Sequence, residues 1–298
     1  MNETLDRLLI RIIFTIFICL AMLLYKYAHV IFYPSAKKQI LKKIYPSENY
    51  VDTLHIFSRL IGVAIIFSTL EFNEYIGISI SLVHFIIWSV IGFSLYLLSI
   101  YICESIIFYN FEYVDEVLKK KNASYGIVSF ANSICLALII KNIFKEADNS
   151  LVILVIFWLF SMVLYGFSTR LFKYISRLPF NSMMIQKNLG LGLSYAGFLF
   201  GNTIIINSAF SHEHHDITSY LVQVVLKILL AILIHPLFRM GIQYIFKIDD
   251  QMHEDPHTGQ EIVHLGIGVY MGSIFLTSSL LTSIIIGQIH FGTIYPFF

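Results

Sequence analysis

Charged residues are scarce in this chain. Of its 298 positions, 13% are Asp, Glu, Lys or Arg, and 57% are hydrophobic. With a mean hydropathy of +0.75, that balance excludes an ordinary soluble domain. No long polar segment is present in which such a domain could fold. A net charge of +1 excludes a basic nucleic-acid-binding surface. The three cysteines, Cys19, Cys103 and Cys135, lie inside apolar runs without disulfide or zinc-ligand spacing, so they read as packing residues. There is no phosphate-binding loop, no nucleophile elbow and no His-Glu-x-x-His. These absences leave no catalytic residue, no metal site and no cofactor site to name, and no enzyme is expected.

What is present is a series of apolar runs long enough to cross a bilayer. There are eight, over about 8–33, 54–71, 76–109, 122–144, 150–174, 188–210, 218–247 and 263–289. The expected fold is all-α, a polytopic membrane protein of eight transmembrane helices. The first run is too long for a signal peptide and lacks a small-residue cleavage site, so it reads as a retained helix.

Lys and Arg set the orientation. One face carries 13 of them: Lys37, Lys38, Lys42, Lys43, Lys119, Lys120, Lys121, Arg170, Lys173, Arg177, Lys187, Arg239 and Lys247. The other carries 4: Arg7, Arg11, Lys141 and Lys145. The richer face is expected to be cytoplasmic, with both termini outside.

A motif recurs along the chain. Lys120-Lys121-Asn122-Ala123-Ser124-Tyr125-Gly126 opens one apolar run, and Lys187-Asn188-Leu189-Gly190-Leu191-Gly192 opens another. It returns at His264-Leu265-Gly266-Ile267-Gly268, and a degenerate copy starts at His55. The successive spacings, His55 to Asn122, Asn122 to Asn188 and Asn188 to His264, are 67, 66 and 76 residues, a repeat signature. Each unit reads as a helix hairpin, and four hairpins of one orientation make a parallel repeat. Two fused four-helix units are expected, over 1–145 and 146–298. Asn122 and Asn188 suit helix N-caps, whereas His55 and His264 suit them less well. The glycines that follow, with Gly197, Gly201 and Gly272, would let helix backbones approach closely.

Those Lys-Asn-Ala-x-x-Gly helix starts, repeated in hairpins, resemble the YjfL-like family of bacterial inner-membrane proteins. That family is defined by a short domain of unknown function, and this chain looks like two tandem copies fused. The resemblance implies a bacterial inner-membrane location and no agreed activity. It also implies a setting of envelope stress or membrane maintenance. Phage-shock-type coat proteins and ATP-grasp ligases similar to glutathionylspermidine synthase are the soluble partners it suggests. The lipid bilayer is the common partner, and a homo-oligomer stays open.

Polar groups inside the spans are costly and mark function or pairing. Glu104 lies 18 residues before Asn122, and Arg170 lies 18 before Asn188. Arg239 and Lys26 fall at a comparable place in their repeats. The arginines could snorkel to the surface. Glu104, with a shorter stem, is expected to pair with Arg170 or Arg239, or to stay protonated against a hydroxyl such as Ser99. The seventh helix carries Gln223, Lys227, His235, Arg239 and Gln243 at multiples of four, a slowly winding polar stripe. Two loops, Ser211–Asp216 and Asp249–His257, hold histidines and acids without a structured ligand spacing.

Two functions follow as expectations. One is a membrane scaffold or sensor that recruits soluble partners. The other is an ion or small-solute channel or transporter lined by the seventh helix.

Overall fold

The structure, a computed structural model, describes residues 2–34, 37–40, 45–70, 77–176, 178–212, 216–246, 253–254 and 261–291. Among these, eight helices are long and apolar enough to cross a membrane. They are α1 (Asn2–Phe32), α3 (Tyr50–Phe67), α4 (Ile78–Ile102), α5 (Ala123–Glu146), α6 (Leu151–Ser176), α8 (Leu189–Phe210), α9 (Ile217–Phe246) and α10 (Leu265–Gln288). Two short helices, α2 (Lys37–Ile40) and α7 (Phe180–Ile185), sit in connections. One two-residue pairing joins β1 (His253–Glu254) to β2 (Glu261–Ile262). The protein is an all-α, multi-pass membrane protein. Half of the first acid-and-histidine loop and most of the second lie outside the described residues, including Glu213, His214, His215 and Asp249–Met252.

By internal contact the chain divides into Met1–Lys121 and Asn122–Phe298. That division falls one helix earlier than the repeat boundary expected at 145/146, because α5 packs on α8. In the first unit α1, α3 and α4 form the bundle. Two π-helical turns, Cys103–Ile107 and Val114–Lys119, close its loop end. Gly62 of α3 faces the Tyr96 ring of α4 so closely that a methyl group there would collide with it.

In the second unit α8 is central, with α5 on one side and α10 on the other. Small residues bring the backbones together, as the sequence leads one to expect. A methyl group on Gly197 would strike the Gly272 backbone, and one on Gly268 would strike Gly190. Gly192 sits against Ser124 of α5, with its added carbon 2.8 Å from that hydroxyl. Side chains bolt the far ends. Asn142 Nδ2 donates to Asn207 O at 3.2 Å, and Asn207 Nδ2 donates back to Leu138 O at 3.2 Å. Ser208 Oγ donates to Ser283 O at 2.9 Å. Gly266 has nothing within 4 Å of an added methyl group and takes no part in this packing.

The helix starts repeat with one correction. Asn122 accepts from Tyr125 N at 3.2 Å and Asn188 from Leu191 N at 2.9 Å, so both are N-caps. His264 occupies the N-cap of α10 without a side-chain capping bond. The fourth start is Asn49, not His55. Its side chain accepts from Asp52 N at 3.2 Å, and α3 begins one residue later. His55 is buried in the second turn. The spacing from Asn49 to Asn122 is therefore 73 residues. Two caps also act as tethers, because an amide offers donors as well as an acceptor. Asn49 Nδ2 donates to Val117 O at 2.9 Å, and Asn122 Nδ2 donates to Met184 O at 2.8 Å. Each reaches the turn that precedes the next helix start. Lys121 (φ 50°) and Lys187 (φ 59°) stand before two of the caps in the left-handed conformation that ends one helix before the next begins.

Candidate functional site

The loop end of the first unit holds a dense polar cluster. Moving the start of α3 to Asn49 explains it. Arg59 lies ten residues past that cap, about 15 Å along the helix, too deep to read as a charge at the helix mouth. It is 1% exposed. A buried guanidinium needs an anion and acceptors, and it finds both. Arg59 forms an ion pair with Glu104, which the π turn after α4 carries into the bundle. Its Nη2 donates to the Tyr33 hydroxyl at 2.7 Å, and Tyr33 in turn donates to the second Glu104 oxygen. The Arg59 Cζ lies 5.4 Å from the centre of the Tyr33 ring.

Imidazoles and phenols wall this pair. His29 Nδ1 lies 3.3 Å from Arg59 Nη1 and 3.4 Å from the Tyr25 hydroxyl. A guanidinium only donates, so Nδ1 accepts and the neutral ring carries its proton on Nε2. That atom has no hydrogen-bonding partner among the described residues. Tyr113 stacks on His55 at 4.6 Å and lies 4.5 Å from the Tyr33 ring. It also donates to Asp52 Oδ1 at 2.6 Å. Burial, then the Asp52 carboxylate, pushes the Tyr113 phenol above its ordinary range.

Glu104, expected to need a partner and matched by repeat position to Arg170 or Arg239, is paired within its own unit with Arg59. Ser99, the alternative, donates to Leu95 O at 2.7 Å. Arg170 and Lys26 are exposed, as snorkelling side chains are. Arg239 packs its Cζ 4.6 Å from the centre of the Phe275 ring. His235 Nε2 lies 2.9 Å from Ser278 Oγ of α10. Lys227 is fully buried, its ammonium has no hydrogen-bonding partner among the described residues, and Glu146 is near enough to attract it. Gln243 is exposed. The stripe on α9 is thus divided among several surroundings.

Sequence reasoning missed Arg59, His29, Tyr33, Tyr25, Asp52 and Tyr113. The signal was there. Tyr25, His29 and Tyr33 recur every fourth residue, and Asp52, His55 and Arg59 recur at three and four. Each set marks one face of a helix.

Among the described residues this cluster occurs once. The family described as Domain of Unknown Function (DUF350) matches residues 4–144 and again 147–286. The chain belongs to this family. It carries two tandem copies of the domain, as the repeat leads one to expect. No curated protein and no solved structure matches it. Asn188 lies 139 residues after Asn49, and the same step takes Tyr33 to Phe172 and Arg59 to Phe198. In the second copy Phe172 and Phe198 meet edge to face at 5.1 Å, with Tyr195 at 4.8 Å from Phe172 and Phe275 at 5.3 Å from Phe198. One domain therefore fills one place with a charged cluster in its first copy and with aromatic rings in its second.

Proposed function

We propose that this protein is a non-enzymatic membrane scaffold and sensor of envelope-stress or membrane-maintenance systems in the bacterial inner membrane. The observation that carries this reading is the Arg59–Glu104 pair. Phe198 is the ring in the second copy that a purely structural site would accept. Burying charge instead is costly in a membrane and is retained where it does something. The lysine-rich loops support a cytoplasmic placement of this end, and hence access for soluble partners such as phage-shock-type coat proteins or ATP-grasp ligases.

A pore along α9 is the second reading, and buried Lys227 favours it. Against it stand the α8–α10 seam, closed by backbone contact at Gly197 and Gly268, and the use of His235 and Arg239 in packing. Purified protein in liposomes distinguishes the two. The scaffold reading expects ion flux no greater than empty vesicles. A photo-crosslinker at Lys119, in living cells, is expected to capture a coat protein or ligase of those classes. Flux that disappears in Lys227→Leu would overturn the reading in favour of a pore.

A further inference from the structure

The Arg59 cluster is held shut by a histidine that must stay neutral. His29 Nδ1 accepts from a guanidinium, so the bond exists only while that lone pair is free. A proton at Nδ1 removes the acceptor. It also places an imidazolium against Arg59, in a bundle end where both side chains are 1% exposed. The charged and titratable groups around it come from every packed element. Tyr25 and Tyr33 come from α1 and its end. Asp52, His55 and Arg59 come from α3. Glu104 comes from the π turn after α4, and Tyr113 precedes the second π turn. Of the two carboxylates in the cluster, Glu104 is already engaged by Arg59 and Tyr33, and Asp52 is engaged by Tyr113. The closed cluster therefore offers an added proton a cation and no free anion.

We infer that the cluster is a proton-binding site: acidification on the loop side protonates His29, breaks its bond to Arg59 and releases the 103–121 segment. This rests on the sensor reading and names its stimulus. The path to the loop is short. Tyr33, at the end of α1, packs on Tyr113, and Tyr113 packs on His55. Beyond Tyr113 the second π turn is tied to the α3 cap through Val117 O and Asn49. Buried Glu116 in that turn is held by Lys120 at 2.6 Å. Displacing the end of α1 removes the packing under this segment. The sign follows from linkage. A proton on Nδ1 and its bond to Arg59 exclude each other, so added protons favour the open form. Each pH unit below about 6 therefore favours opening by roughly tenfold per histidine.

Hydrogen–deuterium exchange of the full chain in nanodiscs, corrected for intrinsic rate, tests this between pH 7.5 and pH 5. Protection of residues 108–119 is expected to fall by about tenfold per pH unit below about 6. His29→Gln, whose amide oxygen still accepts from Arg59 and cannot titrate, is expected to stay protected throughout. Equal wild-type protection at both ends of the range overturns the inference, as does undiminished acid sensitivity in His29→Gln. Where that variant does not fold, nitrogen-15 spectra of the wild-type histidines decide. Conversion of His29 from the Nε2–H tautomer to imidazolium in the same window supports the site. A ring that stays neutral at pH 5 overturns it. Failure to capture a soluble partner would sink the sensor reading while leaving these outcomes unchanged.

Discussion

Arg59 and Phe198 stand at the same register, each ten residues past the asparagine that caps its helix. One is bound to Glu104, and the other lies in a cluster of rings. That pairing makes the polar site of the first copy open to dissection, because the second copy shows what an apolar version looks like.

Breaking the buried pair from one side leaves a charge stranded. Arg59→Met is expected to cost about 3–5 kcal/mol, and Arg59→Met with Glu104→Gln to cost less than Arg59→Met alone. A double-mutant cycle by thermal unfolding in detergent reads the coupling. Additive losses would show that the two side chains stabilise the bundle independently.

The caps should rank by what their amides do. Asn188→Ala loses a cap and is expected to cost about 0.5–2 kcal/mol without abolishing assembly. Asn49→Ala and Asn122→Ala lose a cap and a tether to the next turn, which adds about 0.5–1.5 kcal/mol. His264→Ala removes no capping bond and should cost less than Asn122→Ala. Chemical denaturation of the four variants gives the order, and a His264 loss equal to that of Asn122 would contradict it.

Helix contact predicts a contrast between two glycines. Gly197→Ala drives a methyl group into the Gly272 backbone and is expected to cost about 1–3 kcal/mol through overpacking. Gly266→Ala, in open space, should leave melting within about 0.5 kcal/mol of wild type.

Acid should act on α9 and on the Arg59 cluster in different ranges. Asp216 caps α9, accepting from Ser219 N at 2.9 Å. That backbone bond is the main reason its carboxyl lies below the ordinary range. A depressed folded value means its stabilisation is complete above the unfolded pKa of about 3.9 and is lost as pH falls through the folded one. Exchange at the start of α9 should therefore be flat from pH 7 to 5 and rise only below about 4. Asp216→Asn, which caps without titrating, should remove that rise. A rise already present at pH 6 would contradict the assignment.

Much of the fold was legible in the sequence because bilayer thickness and repeat period are written in hydropathy. The glycine contacts of α8 and α10 were legible for the same reason. The site was less so. Tyr50, Asp52 and His55 dilute the apolar run after Asn49, so hydropathy starts the span near residue 54, only five residues before Arg59. The π turn that carries Glu104 depends on backbone hydrogen bonding and leaves no sequence pattern. Without it the acid was matched by repeat position to Arg170 and Arg239 instead of by contact to Arg59.

The most direct measurement converts the first copy's site to the second's. The triple variant Tyr33→Phe, Arg59→Phe, Glu104→Leu should fold and insert with stability equal to wild type or greater, since replacing a whole buried pair by apolar groups is often neutral or stabilising. Thermal unfolding establishes that, and growth of a strain lacking the chromosomal copy, under envelope stress, reads function. The account predicts a stable protein that fails to restore growth. A stable variant that restores growth fully would show that the charged cluster is only another way of filling the bundle.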